Sequence, residues 1–421
     1  MITYGIVGIG GFAATWVASL RTLEERGVAR LGAAVVRSPE KYHSQVQALE
    51  KRGCTIYGTL EEMLEKAREQ IDVVGVPTGI AYHASMAIQT MEAGYNVLIE
   101  KPVAATIQEV RELQECERRT GRWCAVGYQW IYGPTMRWLE EKILDGSLGR
   151  ILKGRTMIGW PRDESYYARN SWAGRLGEPG HWILDGPATN ATAHYLTNIL
   201  YLIGVQKGKI PITNVRGELY AAKPIESYDT SCIAVDVDGV RALHLASHAL
   251  TETFNPRTRL ICENGVIDWQ ADTDTATIRY DDGSREKYVN AQRAENHLHP
   301  FRQIARVAAG EEEAPLCGLA EGAPHVLSIN LAFESSAGIH RLPDEHTYYI
   351  QAEDGSKTVG IQQIEELLQE AYESGCTFSE LDTAPWAVRT APVPAEGYEY
   401  FPQSDSLKEE LGIDESEDDE D

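Results

Sequence analysis

The 421 residues contain no CxxC pair, and the seven cysteines, at 54, 116, 124, 232, 262, 317 and 376, are odd in number. Neither a zinc cluster nor a disulfide framework is expected, and a reducing cytoplasm suits the chain best. Positive charge is scarce too: 39 Lys and Arg stand against 63 Asp and Glu, a formal net charge of -24. That balance argues against nucleic acid held by general attraction, while leaving room for a local positive site that takes a small anion. No stretch approaches about 18 uninterrupted apolar residues, and the start MITYGIVGIGGFAA has no basic lead into a long apolar run, so neither a membrane span nor a targeting signal is expected. No long repeat recurs. The HxxxH spacing of His244 and His248 lacks the Glu of a zinc-protease helix, and His297 and His299 have no better spacing. All four read as structural histidines, and no metal is expected.

What is present begins with order. ITYGIVG is a short apolar strand, and GIGGFAATWVASLRTLEERG follows as a turn and an amphipathic helix. Gly8, Gly10 and Ala13 form GxGxxA, in which the first glycine permits a tight turn, the second lets backbone approach a pyrophosphate, and Ala13 allows close helix packing. The second strand, LGAAVV at 31 to 36, is followed by Arg37 and Ser38 and carries no acid at its end. An NAD site commonly holds the adenosine ribose with an acid there; Arg37 and Ser38 instead suit a 2'-phosphate, so NADP is preferred to NAD, with an exposed arginine and a turn serine as the plainer alternative. Further alternation, through IDVVGVP, YNVLIEKP and RWCAVGY, predicts a parallel sheet covered by helices. Pro77 and Thr78 end one strand and Glu100, Lys101 and Pro102 another, at the edge where such sheets bind ligands. Lys101 could also serve a structural salt bridge.

From Tyr128 onward the pattern changes. Short strand candidates with Asp-Gly and Asn-Gly turns run from 151 to about 290, which predicts the antiparallel part of an α+β domain. The expected organisation is a Rossmann-like domain at 1–127, an α+β domain with a large, mainly antiparallel sheet at 128–390, and a Pro-containing arm with an acidic end at 391–421. Nine acids and one lysine between Lys408 and Asp421 should keep that end mobile.

GIVGIGGFAA, VPTGIAYHASMAIQTMEAGYNVLIEKPVA and VGYQWIYGPTMRWLEEKILDGSLGR, with YYARNSW and AHYLTNILYLIG further on, resemble the Gfo/Idh/MocA oxidoreductase family over roughly residues 1 to 340. The resemblance implies an NAD(P)-dependent dehydrogenase acting on a hydroxyl or carbonyl of a sugar, cyclitol or related polyhydroxylated molecule, and a homodimer or homotetramer built through the second domain's sheet. It implies a cofactor site of Gly8, Ile9, Gly10, Gly11, Phe12, Ala13, Arg37, Ser38, Pro77, Thr78, His83, Glu100, Lys101, Pro102 and Gln129. Lys101 is expected to aid proton transfer and to orient substrate, beside Tyr167, Arg169 and Trp172, whose rings and guanidinium suit a sugar face and its polar groups. The same aromatic and basic cluster could simply pack a turn.

The family also carries an acid four residues before a helix-opening histidine. Counting back from Gly204 matches that histidine to His194 and the acid to Asn190; counting forward from GHWILD makes Asp185 the acid and puts Thr189 at the histidine position. The two registers differ by five residues. His194, with a reference pKa near 6.5, is the expected acid/base, Lys101 its electrostatic partner and Asn190 an orienter that cannot itself take a proton. Asp185 reads as a capping or loop-holding residue. Two alternatives stay open: a catalytically inactive nucleotide-binding regulator, which Asn190 favours, and an enzyme that oxidises a sugar transiently to allow elimination or glycosidic cleavage.

Overall fold

The computed structural model describes residues 1–351, 355 and 357–413. By its contacts the chain forms two compact units that interleave in sequence: Met1–Ala105 with Glu109–Arg137 and Ala291–Ala323, and Thr106–Gln108 with Trp138–Asn290 and Pro324–Asp421.

In the first unit β1 (Ile2–Val7), α1 (Ala13–Glu25), β2 (Ala29–Val35), α2 (His43–Glu50), β3 (Thr55–Tyr57), α3 (Leu60–Lys66), β4 (Val73–Val76), α4 (His83–Glu92), β5 (Asn96–Ile99), α5 (Ile107–Thr120) and β6 (Cys124–Val126) alternate. The six strands are all parallel, in the order β3-β2-β1-β4-β5-β6. VVGV of β4 is buried throughout, as expected for strands covered on both faces. Because the strands run the same way, Gly8, Arg37, Pro77 and Glu100, each just past a strand end, lie along one edge. The order reverses between β1 and β4, which makes that part of the edge the expected ligand crevice.

The second unit contains α6 (Pro134–Leu144) from Trp138 on, then β7 (Ile151–Gly159), α7 (Glu164–Ala168), the small pair β8 (Gly177–Glu178) and β9 (His181–Trp182), a π-helical turn at Pro187–Ala191, and α8 (Ala193–Val205). There follow β10 (Ile212–Ala221), β11 (Thr230–Val237), β12 (Val240–Ser247), β13 (Phe254–Cys262), β14 (Gly265–Gln270), β15 (Thr275–Tyr280) and β16 (Arg285–Val289). These join β7 in one large sheet that is antiparallel except where β7 meets β12 and where β10 meets a later short strand. Nearly every residue of α8 is buried, which is why its sequence is apolar all round rather than striped.

The chain then returns to the first unit with α9 (His299–Ala308), whose Phe301 packs edge-on against Trp16 and Tyr4 at 5.0 and 5.7 Å between ring centres. Beyond α10 (Leu319–Ser336) come β17 (His340–Arg341), the hairpin β18 (Thr347–Gln351) and β19 (Lys357–Ile361), α11 (Ile364–Ser374), β20 (Val393–Pro394) and α12 (Asp405–Leu411). Ile364, Leu367, Leu368, Ala371 and Tyr372 of α11, with Phe378 and Trp386, bury one face of the sheet around Met157, Tyr220, Leu243 and Leu245. The described part of the Pro-containing arm is folded: β20 pairs with β10, and Phe401 and Leu407 are fully buried. The acidic end at 414–421, expected to be mobile, lies outside the described residues.

Candidate functional site

The nucleotide side is built by the turn between β1 and α1. Gly8 has φ +89° and Gly11 φ +56°, conformations that glycine alone adopts without strain. A Cβ at either would meet nothing within 4 Å, so backbone there is open to a ligand. Gly10 differs from its expected role: a Cβ there would lie 2.3 Å from the Tyr42 hydroxyl, so its glycine makes room for a side chain. Ala13 is buried, as close helix packing requires. The first turn of α1 carries no acid and no side-chain cap, so its N–H groups and dipole favour an anion. Ile9 is buried and Phe12 exposed at the turn. Together these features fit a bound pyrophosphate.

Arg37 is exposed and Ser38 half-buried just past β2. Among the described residues Arg37 forms no ion pair with a carboxylate. Glu100, buried at the end of β5, accepts hydrogen bonds from Trp16 Nε1 and Lys101 N, both at 3.0 Å, and so ties α1 to the Glu100–Pro102 segment. Burial raises its carboxyl pKa, against the pull of Lys101. His83 sits with Nδ1 2.7 Å from Pro102 O and Nε2 3.1 Å from Thr78 O. Both ring nitrogens therefore meet main chain, and the residue acts as a strut between two segments of the expected site. Burial lowers its pKa to about 4, although both carbonyls favour the charged ring. Pro77 is buried, and Gln129 lines a small recess with Trp16, Ser19, Glu100 and Phe301.

In the second unit the two registers of the acid-histidine motif meet. Leu184, with φ 52°, turns the chain sharply, an uncommon conformation for a bulky side chain. Asp185 follows, buried, with Oδ2 accepting from Gly174 N at 2.7 Å and Oδ1 from Asn190 Nδ2 at 2.9 Å. The π-helical turn, one residue wider than an α-turn, supplies this geometry. Asn190 thus orients Asp185. Asp185 also has the loop-holding role expected of it, through Gly174. His194 is the second residue of α8 and is buried.

The turn is braced by residues that sequence reasoning did not connect to it. Tyr228 OH accepts from Thr189 N at 3.1 Å and lies 2.8 Å from Thr189 Oγ1; His325 Nε2 is 2.9 Å from Ala188 O. Thr192 Oγ1 gives its proton to Pro187 O at 2.9 Å and so accepts from His244 Nε2 at 3.0 Å. His244 is fully buried, and burial followed by its neighbour His325 takes its pKa to about 3. Tyr167 OH is 3.2 Å from His248 Nδ1. Arg169 stacks over Tyr166 at 3.6 Å and Trp172 at 5.2 Å, with Arg162 over the same Tyr166 ring at 4.6 Å. Gly174, which donates its N–H to Asp185, lies against Tyr167, since a Cβ on it would be 2.9 Å from that ring, so the aromatic and basic cluster adjoins the Asp185–Asn190 pair. No local spacing announces these contacts, since Tyr167 and His248 are 81 residues apart.

Residues 2–128 match the oxidoreductase family with an NAD-binding Rossmann fold, Gfo/Idh/MocA. The match spans the first parallel-sheet unit's main segment, which is similar to the nucleotide-binding region of these oxidoreductases. The chain is 27% identical over 246 residues to a 4-carboxy-2-hydroxymuconate-6-semialdehyde dehydrogenase of Sphingobium sp., covering 58% of this chain and 70% of that protein. A glycosyl hydrolase family 109 protein of Shewanella sp. is 30% identical over 109 residues, 25% of this chain and 24% of the relative. The fold matches that of levoglucosan dehydrogenase in complex with NADH, with TM-score 0.67 and 16% identity over 80% of this chain and 97% of that one. WlbA dehydrogenase from Bordetella pertussis, solved with NADH and UDP-GlcNAcA, matches with TM-score 0.65 and 20% identity over 80% and 96% of the two chains. These structural likenesses cover about four fifths of the chain, so the shared fold continues beyond the nucleotide-binding region. Among the described residues no helix is long and apolar enough to cross a membrane.

Proposed function

We propose that the protein is an NAD(P)-dependent dehydrogenase acting on a hydroxyl or carbonyl of a sugar, cyclitol or related polyhydroxylated molecule. The observation that carries this reading is the open glycine turn at α1 together with the Glu100–Pro102 segment on the same sheet edge. The nicotinamide supplies the hydride chemistry; the chain supplies position and proton transfer. Gly8 to Ala13 hold the pyrophosphate through main-chain N–H groups. Arg37 and Ser38 hold a 2'-phosphate, so NADP is preferred to NAD. Pro77, Thr78, Glu100, Pro102 and Gln129 shape the remaining edge, with His83 as their strut. His194 takes the hydroxyl proton in the oxidation direction and returns it in reduction, and Lys101 supports that charge. Asp185, held by Asn190 and Gly174, adds the carboxylate that Asn190 cannot supply. Its presence beside Asn190 speaks against the inactive regulator.

Self-association through the sheet is part of this reading, using the part of its surface that α11 leaves uncovered. The seven free cysteines fit a reducing cytoplasm. The test is kinetic. His194→Ala and Lys101→Ala should each lower turnover by about a hundredfold, within the usual range for a lost acid/base, and leave cofactor affinity within about threefold. Wild-type turnover in either variant, with chemistry limiting the rate, refutes the assigned role. Product analysis separates the glycosidase-type alternative, which returns the cofactor unchanged after each cycle.

A further inference from the structure

The chain carries a large negative charge, and a number of its described arginines pair with acids. Arg162 and Arg169 do not. Among the described residues neither lies within ion-pair distance of a carboxylate, yet both guanidinium groups share the ring of Tyr166, at 4.6 and 3.6 Å. Two like charges gathered on one ring repel each other, and the hydrogen bond from Arg169 to Tyr166 O and the stacking offset only part of that. The Nε of Arg162 is buried and meets no hydrogen-bonding atom.

His248 adds the third group. It is 2% exposed, its ring lies 5.6 Å from that of Tyr166, and Nδ1 is engaged with Tyr167 OH. Its other nitrogen, Nε2, is buried and has no hydrogen-bond partner. A buried donor left unmade is costly, so this side chain points to a ligand atom. Burial, then the charges of Arg162, Lys223 and Arg169, hold the imidazole in its neutral form. Lys223 is already engaged: its Nζ donates to Thr358 Oγ1 and to Val359 O.

We propose that Arg162, Arg169 and His248, arranged around Tyr166 and Tyr167, form an anion subsite, so that the substrate of this oxidoreductase carries a carboxylate near the reacting hydroxyl. A sugar acid is the class that fits. Two planar cations and one neutral N–H donor match a single planar monoanion better than a phosphate dianion, and the rings of Tyr166 and Trp172 suit the apolar face of a sugar. Gly174, whose N–H donates to Asp185 at 2.7 Å, packs so closely on Tyr167 that a Cβ there would lie 2.9 Å from the ring, which brings the subsite near the proposed chemistry. The proposal rests on the dehydrogenase reading for its reaction, but not for its binding.

The experiment is calorimetry on the NADP-loaded protein with glucuronate, galacturonate and gluconate, against glucose, galactose, sorbitol and glucose 6-phosphate. At least one acid should bind tenfold or more tightly than its neutral counterpart. Arg162→Gln and Arg169→Gln should each weaken that acid about tenfold, Arg169→Lys less, with NADP affinity and far-UV dichroism unchanged as a check on folding. Absence of saturable binding by any of the acids, equal binding of acid and neutral sugar, or a preference for glucose 6-phosphate overturns the proposal. Arginine-dependent binding of an acid with no cofactor reduction by any compound refutes the dehydrogenase reading and leaves the subsite standing. Turnover of neutral sugars that both arginine variants leave untouched does the reverse.

Discussion

Replacing Asn190 with Asp probes the motif most directly, because the structure and the simple idea of restoring an acid predict opposite results. Asn190 Nδ2 donates to Asp185 Oδ1 at 2.9 Å, and Asp185 is buried. Asn190→Asp turns this donor into a second acceptor and brings two carboxylates together. At an effective dielectric of about 20, two unit charges at that separation repel by about 6 kcal/mol. The pair can avoid the cost by keeping one proton, so its apparent pKa in the fold rises well above the value near 4 of the unfolded chain. The folded variant then holds a proton that the unfolded chain has released, and the stability this proton preserves is lost as pH rises through the raised pKa. Asn190→Asp should therefore melt near wild type at pH 5 and about 10 °C lower at pH 8, since each kcal/mol moves a unit of this size by roughly 2 to 4 °C. Asn190→Ala loses only the charge-assisted hydrogen bond, about 1.5 to 3 kcal/mol, at both pH values. Turnover of Asn190→Asp should fall at pH 8 in the same way, because repulsion from the new carboxylate then displaces the one that Asn190 orients. Melting curves and rates at the two pH values, each referred to wild type, decide the matter. An Asn190→Asp protein as stable and as active as wild type at pH 8 refutes the pairing.

Arg37→Asp should lower NADP affinity at least tenfold while changing NAD affinity little, because it removes the cation beside the expected 2'-phosphate and adds repulsion; calorimetry with both oxidised cofactors shows whether the losses are equal, which would defeat the assignment. Acid should destabilise both units. The buried rings of His83 and His244, with pKa values of about 4 and about 3, stay neutral while the unfolded chain's histidines take up protons near pH 6.5. The stability each contributes is complete above pH 6.5 and declines below it, by about 2 kcal/mol per ring at pH 5 relative to pH 7. Denaturant titrations of wild type and His244→Gln at both pH values should show a shallower decline in the variant, and equal slopes would count against a neutral His244.

The nucleotide-binding half of the fold was legible because its signals are local. Strand, glycine turn and helix follow one another within 25 residues, and β1 pairs with β2 as expected. Gly10 shows the limit of such reading: a glycine in the right place turned out to accommodate Tyr42, which no pattern around residue 10 reveals. The acid-histidine motif was ambiguous for a different reason. Counting in α-helical steps assumes a regular helix, and the π-helical turn at Pro187–Ala191 breaks that assumption, so both Asp185 and Asn190 belong to one constellation. His248, His244 and Tyr228 were read as structural or passed over, because their partners come from residues 81, 52 and 39 positions away. The far end of the chain was legible only in outline. Composition marked a Pro-containing arm and an acidic end, but not that Phe401 and Leu407 anchor the arm's described part.

The cover that α11 lays on the large sheet has a consequence for how the protein is made. Met157 of β7 and Leu243 of β12 are shielded by Leu367, Leu368 and Tyr372, which a ribosome adds only after β7 to β19. At about 5 to 20 residues per second, the roughly 200 residues between β7 and α11 take some ten seconds or more to appear. As β10 to β16 appear within that interval, the growing sheet has one apolar face bare, exposed to other nascent chains and attractive to chaperones. A chain cut before α11 would keep that face bare for good, and should collect in inclusion bodies even though the glycine turn and both halves of the proposed active site are still encoded.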